Sequence, residues 1–468
     1  MDFFFQGHDY RYAAEQMLLM LLPGERPRYP LSISESGEDW AKISLQSGEV
    51  HCELCLYGRY ARTSVAVEAF FGELEKHRNE QRAVKTAFYR AALAVGVKKP
   101  VWGSLTGVKP GKLMARYLKE GKTAADFAAD YDVSAEKAML CEQTARQSIA
   151  AKKSLAEEDI CLYVGIPFCP TRCAYCSFVS NSVEKSTALV EPYLAALRLE
   201  IQREALLLKE KKRRIVALYI GGGTPTTLSA TQLDDLCGCL SDCFDLSSLR
   251  EYTVEAGRPD TITVEKLKTL RRHGVDRVSV NPQSMSDEVL RAIGRRHTAS
   301  DVLRGVELVR EVGGFALNMD LIAGLPRDNP DSFSRTLDIL LPLRAENLTV
   351  HTLSLKNGSR LSENPQALPS PTEVSHMLAE VNTRFVTAGY RPYYLYRQKY
   401  MSGGFENVGW TKEGFVNLYN ICMMEELCPV LALGAGASGK IPKPDGSIER
   451  RVNPKYPKEY IERIKSRE

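Results

Sequence analysis

Between residues 154 and 356 the chain alternates two patterns. Short runs, CLYVGI, VALYI, YTVEA, RVSV, FALNMDLIAG and NLTVHTLSL, are nearly continuous in apolar residues, as strands buried on both faces are. Between them lie longer segments whose apolar positions recur three and four apart: TALVEPYLAALRLEIQREALLL, then 230–243, 264–273, 286–293, 300–312 and 331–343. Six strands with helices between them predict parallel pairing and right-handed crossovers. Six repeats are too few to close an eight-fold barrel. The fold class expected is therefore α/β, a partial (β/α)6 barrel over 154–356, with its chemistry at the carboxyl ends of the strands.

The flanks read differently. In residues 1–153, LSISESGEDWAKISL and EVHCELCLYGRY alternate with strand period, and long helical patterns follow, among them SVAVEAFFGELEKHRNEQRAVKTAFYRAALAVG and SAEKAMLCEQTARQSIAAKK. This predicts an N-terminal α+β domain, and no catalytic constellation is visible in it. Cys52 and Cys55, beside His51, fall on a predicted strand with no second pair, so they read as core or half-buried cysteines. NGSRLSENPQALPSP (357–371) reads as a linker. Residues 357–468 are expected to form a small C-terminal α+β domain covering the open side of the barrel, with a helix at 373–388, a Tyr- and Arg-rich strand at 390–400 and the apolar VLALGAGASG.

Charge narrows the picture. With 62 Lys+Arg against 58 Asp+Glu, the formal charge of +4 does not suggest a nucleic-acid partner. KEKKRR (209–214) sits between a helix and a strand and reads as a solvated turn. No stretch approaches the ~20 apolar residues of a membrane span, and MDFFFQGHDYRYAAEQ lacks the regions of a signal peptide. A cytoplasmic protein with reduced thiols is expected, in which 12 cysteines point to metal or redox chemistry rather than disulfides.

Three of those cysteines, Cys169, Cys173 and Cys176, form a C-x3-C-x2-C run directly after the first barrel strand. Zinc usually takes four ligands in paired knuckles, and no matching pair lies nearby. Three close thiolates suit three irons of a four-iron cluster and leave the fourth iron open to a ligand that is not protein. Tyr175, before the third cysteine, can face such a ligand or pack. The second strand ends in Gly221-Gly222-Gly223-Thr224-Pro225, where glycines allow close backbone approach and amides can face an anion. Glu255, Gln283 and Asp320 are polar groups at the ends of otherwise apolar strands, and Arg295 suits a carboxylate.

LYVGIPFCPTRCAYCSF, GGGTPT, VEAGRPDT, GVDRVSVNPQS, IGRRHT and MDLIAGLP, in this order, resemble the radical S-adenosylmethionine (SAM) enzymes of the coproporphyrinogen III oxidase group, and within it the HemZ-type coproporphyrinogen dehydrogenases. The motifs cover roughly 160–440, and the N-terminal module has the size expected of that branch. The resemblance implies a 4Fe-4S cluster on Cys169, Cys173 and Cys176, with SAM chelating the open iron and yielding a 5′-deoxyadenosyl radical on reduction. It implies SAM contacts from Tyr163, Gly222, Gly223 and Thr224, with Tyr175 against the adenine. Glu255, Gln283, Arg295 and Asp320 fall where the group holds SAM, including a second molecule in some members. An electron donor such as flavodoxin or ferredoxin is implied. The sequence departs from the group at Gly165, where a histidine is common, and at Phe178, where some oxidases have a fourth cysteine.

The implied reaction is oxygen-independent conversion of two coproporphyrinogen III propionates to vinyls, giving protoporphyrinogen IX. A tetrapyrrole with four propionates needs cations and flat apolar walls. RPYYLYRQKYM (391–401) offers Arg391, Arg397 and Lys399 among tyrosines, and Arg258, Arg296 and His297 are further candidates. Two other readings use the same scaffold: a haem carrier and a haem-modifying methyltransferase. Related haem chaperones carry a His-Asn-x-x-Tyr-Trp-like segment, and VNLYNICMMEE at that place has no histidine. Cys237, Cys239, Cys243, Cys422 and Cys428 do not form a convincing second cluster in the sequence.

Overall fold

A computed structural model describes residues 1–31, 37–176, 181–182, 186–356, 358–363, 367–398, 402–443 and 447–466. The chain divides into two compact units. The first is built mainly from Met1–Pro110 and Arg116–Leu140, the second mainly from Cys141–Arg397 and the chain after residue 401.

In the first unit, β1 (Asp2–Gln6), β2 (Trp40–Gln46), β3 (Glu49–Leu56) and β4 (Arg59–Ala66) form a sheet in that order, with β1 parallel to β2 and the rest antiparallel. Every second residue of β3, Val50, Cys52, Leu54 and Leu56, is buried. They pack on apolar residues of helices Arg11–Leu21 and Glu73–Ala94, including Met17, Val84 and Phe88. Cys52 is core and Cys55 half-buried, three residues apart on a strand and so on opposite faces. Residues 32–36 of the expected first strand lie outside the described residues.

The second unit holds one sheet of eleven strands. Its centre is β5 (Asp159–Ile166), β8 (Arg214–Gly222), β9 (Glu251–Glu255), β10 (Arg277–Ser279), β11 (Ala316–Ala323) and β12 (Asn347–Thr352). All five junctions between them are parallel and follow chain order, which is the singly wound partial barrel expected. Two short strands, β6 (Phe168–Cys169) and β7 (Asn181–Ser182), pair beside the carboxyl end of β5. Three of the crossover helices start where side chains satisfy free backbone amides. Ser229 with Gln232, Thr298 with Asp301 and Asn329 with Ser332 form capping boxes, each cap contributing about 1 kcal/mol. The basic run is exposed, with Lys209 and Glu210 ending a helix and Lys211 and Lys212 in the turn after it, and Arg214 pairs with Asp159 at 2.6 Å.

Residues 357–468, read above as a domain of their own, extend the barrel sheet at both edges. β13 (Arg391–Tyr396) and β14 (Asn407–Thr411) add antiparallel strands beyond β12. β15 (Val430–Leu433) runs parallel to β5, and β16 (Ser438–Pro442) and β17 (Ile448–Val452) follow it. Helix Leu418–Glu425 lies against the inner face at the amino ends of the strands. Its Leu418 and Tyr419 amides donate to Glu251 at 2.9 and 3.2 Å, and Leu418, Tyr419 and Cys422 pack on Val216, Ala217 and Val430. Buried Glu200 ties this segment down, accepting from Gly434 N (2.7 Å), Asn453 Nδ2 (2.7 Å) and Tyr460 OH (2.6 Å).

Candidate active site

The carboxyl end of β5 and the turn after β8 build one structure. The Gly223 amide donates to Ile166 O at 2.8 Å and the Thr224 amide to Phe168 O at 2.7 Å, so the glycine turn is laced to the chain entering the cysteine loop. A Cβ on Gly223 would lie 2.5 Å from Phe168 O, and only glycine permits this approach. Gly222 has φ +107°, outside the range other residues adopt readily. The Thr224 hydroxyl then reaches Cys169 Sγ at 3.5 Å.

The far side of the cysteine loop is held by segments that follow β9 and β10. Ala174 N donates to Ile293 O at 2.8 Å. Buried Arg258 makes a bidentate pair with Asp260 (3.0 Å and 3.0 Å) and donates to Thr171 Oγ1 at 2.9 Å. Buried Arg295 donates to Asn281 O at 2.6 Å and to the Tyr175 hydroxyl at 3.2 Å, which orients the ring beside the third cysteine. Two buried cations thus support a loop that carries three thiols.

Strand register puts polar side chains in a band across the lumen. Ser279 is opposite Glu255 on one side and Asn318 on the other, and Asp320 lies two residues further along the same face. Asn318 Nδ2 donates to Asp320 Oδ1 at 2.9 Å, and His351 Nε2 lies 3.9 Å from Asp320 Oδ2. Gln283 N donates to Asp320 O at 2.9 Å, and Gln283 holds φ +66°, a strained value for glutamine. Four buried polar atoms here find no protein partner: Ser279 Oγ, Asn281 Oδ1, Gln283 Oε1 and Arg295 Nε. Buried polar atoms in native proteins are paired, so four together on one wall mark a place for a polar ligand.

Below this band three tyrosines stack. Tyr219 lies 4.4 Å from Tyr419 and 6.2 Å from Tyr163, ring centre to ring centre, all within 21° of parallel. The Tyr219 hydroxyl donates to Glu255 Oε1 at 2.5 Å and the Gly222 amide to Oε2 at 3.3 Å. Glu255 keeps some accessible surface, yet protein surrounds it. Burial pushes its carboxyl up to about 7; the Tyr219 bond opposes this and the Asp320 charge adds to it.

The structure thus brings together Cys169, Cys173, Cys176, Tyr163, Tyr175, Gly222, Gly223, Thr224, Glu255, Gln283, Arg295 and Asp320 around the carboxyl end of the barrel. The substrate-binding candidates fare differently. Arg391 is exposed at the start of β13, opposite the amino end of β12. Arg397 is buried on Gly404 O (3.0 Å). Arg296 is exposed, and buried His297 sits 3.8 Å from Asp260. Lys399 lies outside the described residues. Sequence reading missed Tyr219, Ser279, Asn281, Asn318 and His351. For Ser279, Asn281 and Asn318 the signal was the alternate position, an even number of residues from Gln283 or Asp320, and for Tyr219 the step of two from the glycine turn; His351, on β12, had no such neighbour.

This fold and this site define a radical SAM enzyme, and the Radical SAM superfamily model matches residues 163–340. The chain is 40% identical over 373 residues to the oxygen-independent coproporphyrinogen-III oxidase-like protein HemZ of Bacillus subtilis, covering 78% of this chain and 74% of that protein. It is 28% identical over 302 residues to the haem chaperone HemW of Haemophilus influenzae, covering 64% and 75%. The solved structure of the radical SAM enzyme coproporphyrinogen III oxidase (HemN) from Escherichia coli matches with a TM-score of 0.55 at 25% identity, over 69% of this chain and 72% of that one. The chain belongs to the oxygen-independent coproporphyrinogen III oxidase-like family of radical SAM proteins. Its cofactors are a 4Fe-4S cluster and SAM. Among the described residues no helix is long and apolar enough to cross a membrane.

Proposed function

We propose that this protein converts two propionates of coproporphyrinogen III to vinyl groups without oxygen, giving protoporphyrinogen IX. Each conversion removes a hydrogen atom from the propionate β-carbon, releases carbon dioxide and passes one electron to an acceptor. When bound, the cluster and SAM together supply the radical that takes the hydrogen. The observation that carries this reading is the joining of the cysteine loop to the glycine turn of β8 at the carboxyl end of six parallel strands.

Cys169, Cys173 and Cys176 hold the cluster in this proposal, with the Thr224 hydroxyl steadying Cys169. The site suits SAM chemically. The ligand presents an amine, a carboxylate, ribose hydroxyls, adenine and a sulfonium. The lumen presents Glu255 and Asp320 to its cation and hydroxyls, and the unmatched Asn281 Oδ1, Gln283 Oε1 and Arg295 Nε to its polar edges. Tyr163 and Tyr175 offer ring faces, and Gly222 and Gly223 let the backbone close on it. The cations at the mouth replace those read from the sequence. Arg172 on the cysteine loop donates to Gly358 O at 2.7 Å, Arg360 is beside it, and Lys356 is half-buried near Cys176. These suit propionates, whereas Arg391 sits at the amino end of β12 and Arg397 is buried on Gly404 O. We assign the first electron to a flavodoxin- or ferredoxin-type donor and the setting to the cytoplasm, where cysteines stay out of disulfides.

The haem-carrier reading has a specific obstacle. The segment at the place of the chaperone motif, 416–426, has no histidine, and its helix is spent on the amino-end floor of the barrel. The deciding experiment is anaerobic incubation of cluster-loaded protein with SAM, reductant and coproporphyrinogen, read by product mass. Loss of two carboxyls is expected. SAM cleavage that leaves the tetrapyrrole unchanged, a gained methyl, or stoichiometric haem binding with no turnover would each overturn the assignment.

A further inference from the structure

A second group of thiols lies away from this site. Cys161 on β5, Cys422 on helix Leu418–Glu425 and Cys428 just before β15 are far apart in sequence. Their sulfurs all lie within 4.8 Å of one another, with Cys161 and Cys428 3.6 Å apart, and all three residues are buried. Among the described residues this is the only group of three such donors gathered as closely. Cys169, Cys173 and Cys176 are not so gathered, so the two sets differ in kind: one spreads over a cluster loop, the other converges on a point.

We infer that Cys161, Cys422 and Cys428 bind one thiophilic d10 metal ion, zinc(II) or copper(I), as a clasp between the barrel and its C-terminal segment. At a metal–sulfur distance of about 2.3 Å, sulfurs around one ion stand about 3.8–4.0 Å apart in tetrahedral or trigonal geometry. The observed separations need only small side-chain adjustments to meet this. The donors are all sulfur, which selects soft ions over magnesium, calcium or manganese. The packing around them, Val216, Ala217, Leu418 and Val430, is apolar and shields the ion from exchange. Each thiol releases its proton to solvent on binding, so uptake is tighter at higher pH.

The position gives the ion a task. Cys161 lies two residues before Tyr163 on one face of β5, and Cys422 one helical turn after Tyr419. Both tyrosines belong to the stack under Glu255. An ion on these thiols fixes the floor on which the stack rests and takes no part in the radical step. This inference stands on the thiol geometry and is independent of the substrate assigned above.

The test uses the full-length, cluster-loaded protein, handled anaerobically. Copper(I) and zinc(II) are titrated separately against chromophoric chelators. One equivalent of at least one ion is expected to bind with a Kd below about 1 µM. Cys161→Ser, Cys422→Ser and Cys428→Ser should each weaken it at least about a hundredfold while the four irons and the cluster absorbance are kept. X-ray absorption at the metal edge of the wild-type protein should show three sulfur neighbours near 2.3 Å. Zinc binding alone identifies a site completed by a fourth ligand, copper binding alone a trigonal one. Absence of a bound equivalent, or fewer than three sulfurs in the wild-type spectrum, overturns the inference even if the variants fail to fold.

Discussion

Replacing Glu255 with glutamine should make the cofactor-free protein more stable in neutral solution, although the residue faces the site. Burial raises the Glu255 carboxyl from its ordinary 4.5 to about 7. A carboxyl raised on folding makes the folded state bind the extra proton. Stability is therefore fully present below 4.5 and falls as pH rises through about 7. At 1.36 kcal/mol per pH unit, the fall amounts to about 3 kcal/mol. Glutamine never ionises and does not incur it. The substitution also turns an amide N–H toward the Gly222 amide, a mismatch of about 1 kcal/mol that does not change with pH. The quantity to follow is therefore the difference in unfolding free energy between variant and wild type, by urea denaturation of cofactor-free protein from pH 5 to 8. It should move in favour of Glu255→Gln by about 2–3 kcal/mol over that range, and by several degrees in Tm. A difference that stays flat with pH would refute a carboxyl strained by its surroundings. The same variant should bind SAM more weakly, because it has lost the charge that the stability sacrifice maintains.

Other substitutions probe the surrounding parts. Gly223→Ala places a methyl 2.5 Å from Phe168 O and should abolish cluster loading, read as iron per chain; full iron content would show that the turn can move aside. Tyr219→Phe removes the hydroxyl on Glu255 and should weaken SAM binding about tenfold by calorimetry, the loss of one charge-assisted hydrogen bond. Burial, then Arg295 and Arg258, holds His297 down to about 3, so the fold loses stability as pH falls below 6.5; His297→Gln should flatten that acid limb of the denaturation profile. Glu200→Gln leaves three donors facing a neutral acceptor and should cost about 2–4 kcal/mol in denaturant, and a change under about 0.5 kcal/mol would show that the C-terminal helix is held otherwise.

The barrel was legible because its strands are buried on both faces and its helices on one, so the two periods separate cleanly along the chain. The cluster loop was legible because Cys169, Cys173 and Cys176 are close in sequence. Two things were hidden. The first is the inner wall: Ser279, Asn281 and Asn318 are ordinary polar residues until register sets them in a row with Glu255. The second is the destination of the C-terminal segment. β15 pairs with β5 from about 270 residues away, and no local pattern in VLAL encodes that partner. The arginines of RPYYLYR misled for the same reason. Their charge was visible, but Arg391 sits at the wrong end of its strand and Arg397 is spent on Gly404 O.

That pairing of β5 with β15 also sets an order of events during synthesis. A nascent chain that has emerged as far as residue 400 has β5 bonded on one side only, without Tyr419 to complete the aromatic pile or Cys422 and Cys428 beneath it. Iron delivered at that moment meets a half-walled trough. Cluster insertion therefore waits on synthesis of the C-terminal segment, and a chain cut after residue 408 should accumulate as an iron-free, protease-sensitive species.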